Sequence, residues 1–317
     1  MRVLVTGATG YVGSRLIPEL LERGHEIYAA VRKEGAVDDY PWGRAVTPRL
    51  FDIEEPGLIR SAVTGMDAVV YLVHSMESDD FVTKDREAAQ RVAAACEDAG
   101  VGRVAYLSGL IPDSDLSDHL RSRLQVEQVF LESAVPATVL RAAMVIGAGS
   151  TSFEILRRLI ERVPLTPIPA WMLSRLQPVA TEDVVHLIGC ALEGEPHNRH
   201  FDVGGDDVLT YPEILALMAD VAGKRRRQLI LPFAPMMLVG WIVAWITRMP
   251  RPTVVSLVES LTEDMVCGED DVRRDLAGPD HRFVPLREAF ERSLDDGGPD
   301  GTSVFGDVQS EAVTDPA

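Results

Sequence analysis

Lysine is nearly missing from this chain: only Lys33, Lys84 and Lys224 occur among its 31 basic residues. No tyrosine stands between Tyr106 and Tyr211, and Asn198 is the only asparagine. A tyrosine–lysine pair is therefore excluded from the middle of the chain. Cysteine is scarce as well. Cys96, Cys190 and Cys267 are odd in number and match no metal-ligand spacing. That excludes a disulfide scaffold, implies no metal site, and predicts reduced, buried thiols in a cytosolic protein. The leading apolar run is too short for a signal peptide and passes straight into glycines, so secretion is not expected. Positive charge is outweighed, with 31 Lys and Arg against 49 Asp and Glu, a net charge of -18. Such a surface repels nucleic-acid phosphates and anionic lipid, which argues against general nucleic-acid binding. Part of this acidity lies in the C-terminal tail.

What is present is a regular alternation. The 317 residues, 46% of them apolar, suffice for one large α/β domain or one domain with a smaller lobe. Val3-Leu4-Val5 suits a central strand buried on both faces. Ser14 to Arg23 reads as a helix, although Pro18 lies inside it. Further strands are expected at Glu26–Val31, Val46–Phe51, Ala68–Val73, Arg103–Ser108 and Thr138–Arg141. The third is weakened by Pro48. Helices are expected at Pro56–Val63, Phe81–Ala99 and Ser117–Ser133. Strands alternating with helices imply a doubly wound parallel sheet. From about 150 prolines punctuate the pattern, which predicts a smaller lobe over the carboxyl ends of the strands. The expected division is a dinucleotide-binding domain over 1–149, a lobe over 150–294 and a disordered acidic tail over 295–317.

The glycines carry the first functional signal. Gly7, Gly10 and Gly13 follow the first strand and open a helix. The first permits the turn, the second lets backbone N–H groups reach a pyrophosphate, and the third lets the helix pack on the strand. Thr9, Tyr11 and Val12 complete the loop. At the end of the second strand, where an NAD binder usually carries an acid, this chain has Arg32 and Lys33. Their charge suits a 2′-phosphate, so NADP is expected rather than NAD. Asp52 and Ile53 are placed to reach the adenine. Leu72 and His74 end the fourth strand beside the expected pyrophosphate path, with His74 read equally as an ordinary loop histidine.

The loop Thr6-Gly7-Ala8-Thr9-Gly10-Tyr11-Val12-Gly13 resembles that of the extended and atypical short-chain dehydrogenase/reductases. Val104–Leu110 is similar to their fifth strand, and Arg141–Gly147, with Ala142, to their sixth. Gln177–Val185 and Phe201–Gly205 resemble elements of the NmrA-like and complex-I-39-kDa-like branch. The resemblance covers residues 1 to about 294. It implies strand order 3-2-1-4-5-6, with a seventh strand near 199–204 joining the Rossmann sheet. It also implies an NAD(P)H-binding protein, either a reductase of a carbonyl or quinone or a non-catalytic NADP(H)-sensing regulator or assembly factor.

The family's Tyr-x-x-x-Lys pair does not carry over. His119 stands at the tyrosine position, Arg123 at the lysine position, and Arg91 at that of a helix asparagine, while Ser108 remains. An imidazole titrating near neutrality would donate the proton to a reduced carbonyl, and Arg123 would supply charge and hold a ribose. The alternative is a polar helix face in a protein that binds the cofactor without turnover.

Leu229 to Thr247 carries no charge, with Lys224 to Arg227 before it and Arg248 after it. A helix would start cleanly only near Pro235, and its thirteen residues reach about 20 Å, short of the ~30 Å hydrocarbon core. A buried helix or subunit contact, peripheral contact with a membrane or quinone, and a membrane span are the three readings.

Overall fold

The computed structural model describes residues 1–74, 80–112 and 116–296. Seven parallel strands form the central sheet: β1 (Arg2–Val5), β2 (Glu26–Val31), β3 (Thr47–Leu50), β4 (Ala68–Tyr71), β5 (Arg103–Gly109), β6 (Ala137–Ala142) and β11 (Arg199–Val203). Their order is β11-β6-β5-β4-β1-β2-β3, which is the expected doubly wound α/β arrangement with the seventh strand beside β6. Val3 to Val5 and Ala68 to Val70 are fully buried, as central strands covered on both faces require. Pro48 is accommodated because β3 is the edge strand, where one side of the ladder needs no N–H donor.

Helices cover both faces. On one lie α1 (Tyr11–Glu22) and α6 (Thr181–Leu192), whose Leu16, Ile17, Leu20, Val184 and Ile188 share a core with β1 and β2. On the other lie α2 (Pro56–Val63), α3 (Phe81–Ala99) and α4 (Asp118–Glu132), packed around Tyr71, Tyr106 and Phe130. Helix α1 runs through Pro18 without a break. Cys96 is buried, whereas Cys190 and Cys267 are only half-buried, in contrast to the expectation of three buried thiols.

A third core belongs to the lobe. It joins α5 (Thr151–Arg162), α7 (Tyr211–Val221), α8 (Met236–Thr247), α9 (Arg251–Glu259) and α10 (Leu286–Asp296). Three short pairs brace it: β7 (Val145–Ile146) with β10 (Val179–Ala180), β8 (Leu165–Pro169) with β13 (Arg227–Leu231), and β9 (Arg175–Leu176) with β12 (Leu209–Thr210). The lobe is not one continuous stretch after residue 150, because α6, β11 and the segment holding Val272, Leu276 and Phe283 pack with the sheet domain. Helix α10 runs to Asp296, so Asp295 and Asp296 are helical rather than part of a disordered tail. The remainder of that expected tail lies outside the described residues. The uncharged segment divides into β13 and α8, and no helix among the described residues is long and apolar enough to cross a membrane.

One buried ion pair clamps α4 to the sheet. Arg141 of β6 meets both carboxylate oxygens of Glu127, at 2.5 and 3.0 Å, and the Glu127 side chain is 2% exposed. Removing one partner strands the other's charge in the interior. Glu127→Ala should cost about 3 kcal/mol, read as a lower urea midpoint, and Glu127→Leu with Arg141→Met should recover most of the loss.

Candidate active site

The glycine loop is shaped by contacts that leave no room for side chains. Gly7 turns with φ +66° and lies against Leu72, where a Cβ would stand 3.4 Å from the Leu72 Cβ and carbonyl oxygen. The Thr6 hydroxyl donates to the Val70 carbonyl at 3.1 Å and accepts from the Leu72 N–H at 3.0 Å. This ties the start of the loop to the end of β4. A Cβ on Gly13 would fall 2.1 Å from the Gly7 carbonyl oxygen, so α1 approaches β1 at backbone distance. Gly10 caps α1 without any side-chain hydrogen bond, leaving the first-turn N–H groups to face the cleft. These N–H groups and the glycine cradle fit the pyrophosphate of a dinucleotide.

The remaining loop residues divide between framework and cleft. The Tyr11 phenol is turned onto Thr181, Oη to Oγ1 2.7 Å, beside Gly147, and burial pushes its pKa to about 12. The Thr9 carbonyl accepts from the Tyr40 hydroxyl at 2.9 Å, fixing residues after β2 against the loop. Arg32 and Lys33 are exposed at the end of β2. Asp52 closes a turn by accepting from the Glu54 N–H at 2.8 Å, and Ile53 offers its carbonyl to Arg91 at 3.0 Å. Arg91 also pairs with Glu87 at 2.9 Å, so it braces the end of β3 rather than the cleft.

A cavity of about 300 Å³ lies over the carboxyl ends of β1, β4, β5 and β6. Eleven of the residues singled out in the sequence line it: Gly7, Gly10, Tyr11, Val12, Gly13, Leu72, His74, Ser108, His119, Arg123 and Ala142. Thr9, Arg32, Lys33, Asp52 and Ile53 do not line it and stand along the outer path toward β2 and β3. Ser117 caps α4 by accepting from the Leu120 N–H, which places His119 in the first turn and Arg123 one turn later. The Ser108 hydroxyl is buried on β5 close to the Tyr106 hydroxyl, two residues earlier, and both lie near Arg123.

Electrostatics bear on the role expected of His119. Burial, and then the charge of Arg123, hold the His119 pKa down at about 3. His119 is therefore neutral at pH 7 and is not an ordinary imidazolium acid. His74 opens onto the cleft, where desolvation, and then the neighbouring Arg123 and His119, push it toward the neutral form, although its exposure weakens the first of these. Burial raises the Tyr106 phenol, and Arg123 opposes that rise. Among the described lining residues, Arg123 is the only permanent charge.

The lobe supplies what the sequence did not reveal. Leu257, Ser260 and Met265 close the cleft from above. They also line a second, almost wholly apolar cavity of about 280 Å³ between α5, α7, α8 and α9, and Ala143 belongs to both. These residues lie more than a hundred positions beyond Ser108 with no motif around them. Tyr106 was legible from its i, i+2 relation to Ser108 on one strand face.

A family model described as NAD(P)H-binding matches residues 7–161. Over 98% of its length the chain is 25% identical to the mitochondrial NADH dehydrogenase [ubiquinone] 1 alpha subcomplex subunit 9 of Arabidopsis thaliana, covering 81% of that protein. It is 24% identical to the ceramide reductase of Caulobacter vibrioides, over 80% of this chain and 81% of that protein. The fold matches the Citrobacter sp. triphenylmethane reductase complexed with NADP(H), with a TM-score of 0.75 at 19% identity, over 92% of this chain and 100% of that one. With its glycine cradle, sheet order and later motifs all in register, the chain carries an NAD(P)H-binding domain over residues 7–161 and is similar over nearly its whole length to the complex-I-39-kDa-like relatives of the atypical short-chain dehydrogenase/reductases.

Proposed function

We propose that the protein is an NADPH-dependent reductase of an apolar acceptor, a quinone in preference to a simple carbonyl. The observation that carries this reading is that Ser108, His119 and Arg123 meet the glycine loop in one cleft, and that cleft adjoins an apolar cavity. When bound, the dinucleotide supplies a hydride. The glycine loop and the first turn of α1 hold its pyrophosphate, and Arg32 and Lys33 favour a 2′-phosphate. Ser108 and the neutral His119 ring offer hydrogen bonds to the acceptor oxygen. Arg123 stabilises the negative charge that develops there. With His119 held toward its neutral form, the described lining residues include no imidazolium to donate a proton. A hydroquinone anion is a much weaker base than an alkoxide, so hydride transfer can leave it as the anion, to be protonated afterwards in solvent without an acid in the site, and this favours the quinone. We place the chain in the cytoplasm because all three of its cysteines are free.

The second reading is an NADP(H)-sensing regulator or assembly factor. The loss of both members of the Tyr-x-x-x-Lys pair and the neutral His119 favour it. Steady-state NADPH oxidation with a short-chain quinone and an aldehyde separates the two. Turnover of the quinone supports the reductase, and tight NADPH binding without oxidation of any acceptor supports the regulator.

Gly10→Val should abolish NADPH binding in a folded protein, because its Cβ already lies 3.2 Å from the Gly7 carbonyl and the added methyls fill the pyrophosphate space. Gly13→Ala should lose binding and also about 2 kcal/mol of stability, since its Cβ meets backbone at 2.1 Å. Calorimetry and urea unfolding measure the two effects.

NADPH should bind more tightly than NADH, and Arg32→Glu should level or reverse that order. Equal affinities in the wild-type protein would refute the cofactor assignment.

With the His119 pKa near 3, the imidazole stays neutral throughout the physiological range. The kcat/KM for quinone should accordingly stay flat from about pH 6 to 8. A fall in rate as pH rises through about 6.5 would mean that His119 titrates normally and donates its proton. Arg123→Ala should lower kcat and weaken cofactor binding together.

A further inference from the structure

Helix α8 is turned inside out. Its small residues Gly240, Ala244 and Thr247 are buried, and a Cβ on Gly240 would meet Val255 of α9 at 2.9 Å. Its large residues face outward: Met237, Leu238, Trp241, Ile242 and Trp245 are all exposed, Trp245 at 80%. Spacings of three and four place them on one face. The strand before the helix continues this surface through Leu229 and Ile230, and Phe233 in the connection is 81% exposed. A surface helix ordinarily directs its apolar stripe at the core, and apolar patches of this kind mark interaction sites.

Charge identifies the occupant. Residues 221–258 contain no Asp or Glu and six Lys or Arg, in a chain whose net charge is -18. Arg225, Arg227, Arg248 and Arg251 are exposed, and the Arg251 guanidinium stands 5.6 Å from the Trp241 ring centroid. Whole-chain acidity therefore misleads about this face, which is basic at its edge and apolar at its centre. A second copy docked symmetrically would set these basic rims against each other. An anionic bilayer matches both features, with apolar side chains and tryptophans entering the interface and arginines on the headgroups. The helix of 12 residues is about 18 Å long, which suits lying in the interface and not crossing it.

The apolar cavity lies beneath this face. Leu238 and Ile242 belong both to its lining and to the exposed patch. Its inner end shares Leu257, Ser260 and Met265 with the cofactor cleft. We propose that β13 and α8 seat the protein on an anionic membrane surface, and that the cavity takes the hydrocarbon tail of a lipid-phase acceptor whose head lies in the cleft. That the tail belongs to an acceptor rests on the reductase reading, whereas the docking and the fit of the cavity to a hydrocarbon tail do not.

Flotation of the full chain with vesicles tests the docking. Binding is expected to mixed phosphatidylglycerol and phosphatidylcholine, weakening with salt, and to be much weaker with phosphatidylcholine alone. Phe233→Ser with Trp245→Ser should lower vesicle partitioning at least about tenfold. Arg225→Gln, Arg227→Gln and Arg251→Gln together should remove the preference for anionic lipid. Both variants should keep the wild-type NADPH affinity, which shows that they are folded. Absence of flotation, or flotation unchanged in the serine variant, overturns the docking. So does a wild-type dimer in sedimentation equilibrium that the serine variant loses, in the absence of vesicle binding. The tail site is read without turnover. A quinone bearing a ten-carbon tail should raise the Tm more than its tail-less parent, and Leu238→Trp at the cavity mouth should cancel the difference. Equal Tm shifts for the two quinones overturn the tail site. If tail-dependent stabilisation holds while no quinone is reduced, the tail site stands and the reductase reading falls, and flotation alone decides the docking.

Discussion

The approach of α1 to β1 at backbone distance is the constraint from which the site follows. At Gly13 the two elements leave no space for a methyl group beside the Gly7 carbonyl. That contact aims the first turn of α1 across the carboxyl ends of β1 and β4. The Thr6 hydroxyl, bonded to both Val70 and Leu72, locks the same edge from below. Once this corner is set, the parallel sheet places Ser108 and Ala142 along one line, and α4 presents His119 and Arg123 from the side. The lobe then has one place to close, over that line.

Replacement of tyrosine and lysine by His119 and Arg123 changes more than two side chains. A lysine beside a tyrosine lowers the phenol's pKa so that it can exchange a proton. An arginine beside a histidine acts in the opposite direction on a cationic acid, and with burial it leaves the imidazole neutral. The site retains a permanent positive charge, a buried serine hydroxyl and an imidazole. Among its described lining residues no group is poised to donate a proton near pH 7. Acceptors whose reduced form is a weak base are the ones such a site can serve.

Charge is segregated along the chain in a way that the net value hides. The acidic surface repels anions in general, while residues 221–258 carry only basic side chains. Buried ion pairs such as Arg141–Glu127 and Glu154 with Arg157 and Arg158 consume arginines internally. Arg158 and Arg162 are also engaged, donating to the carbonyls of Thr247 and Ile246 at the end of α8. The exposed arginines around α8 are therefore a local exception within an acidic protein.

The sheet domain was largely legible in the sequence, because runs such as Val3–Val5 and helices such as Phe81–Ala99 bury fixed faces with a regular period. The loop, the end of β2 and the missing Tyr-x-x-x-Lys pair were legible because they are local patterns of residue type. Strand β13 was not, since its partner β8 is some sixty residues away and its own exposed residues show no alternation. Nor were Leu257, Ser260 and Met265, which reach the cleft only through the folding of the lobe. The neutral state of His119 was hidden for a related reason. A pKa depends on desolvation and on neighbouring charge, and both are set by tertiary packing. Composition alone determined that 229–247 is apolar and uncharged. Only the packing of Gly240 and Ala244 against α9 decided that its large side chains face outward, because the small residues alone permit the close contact between the helices.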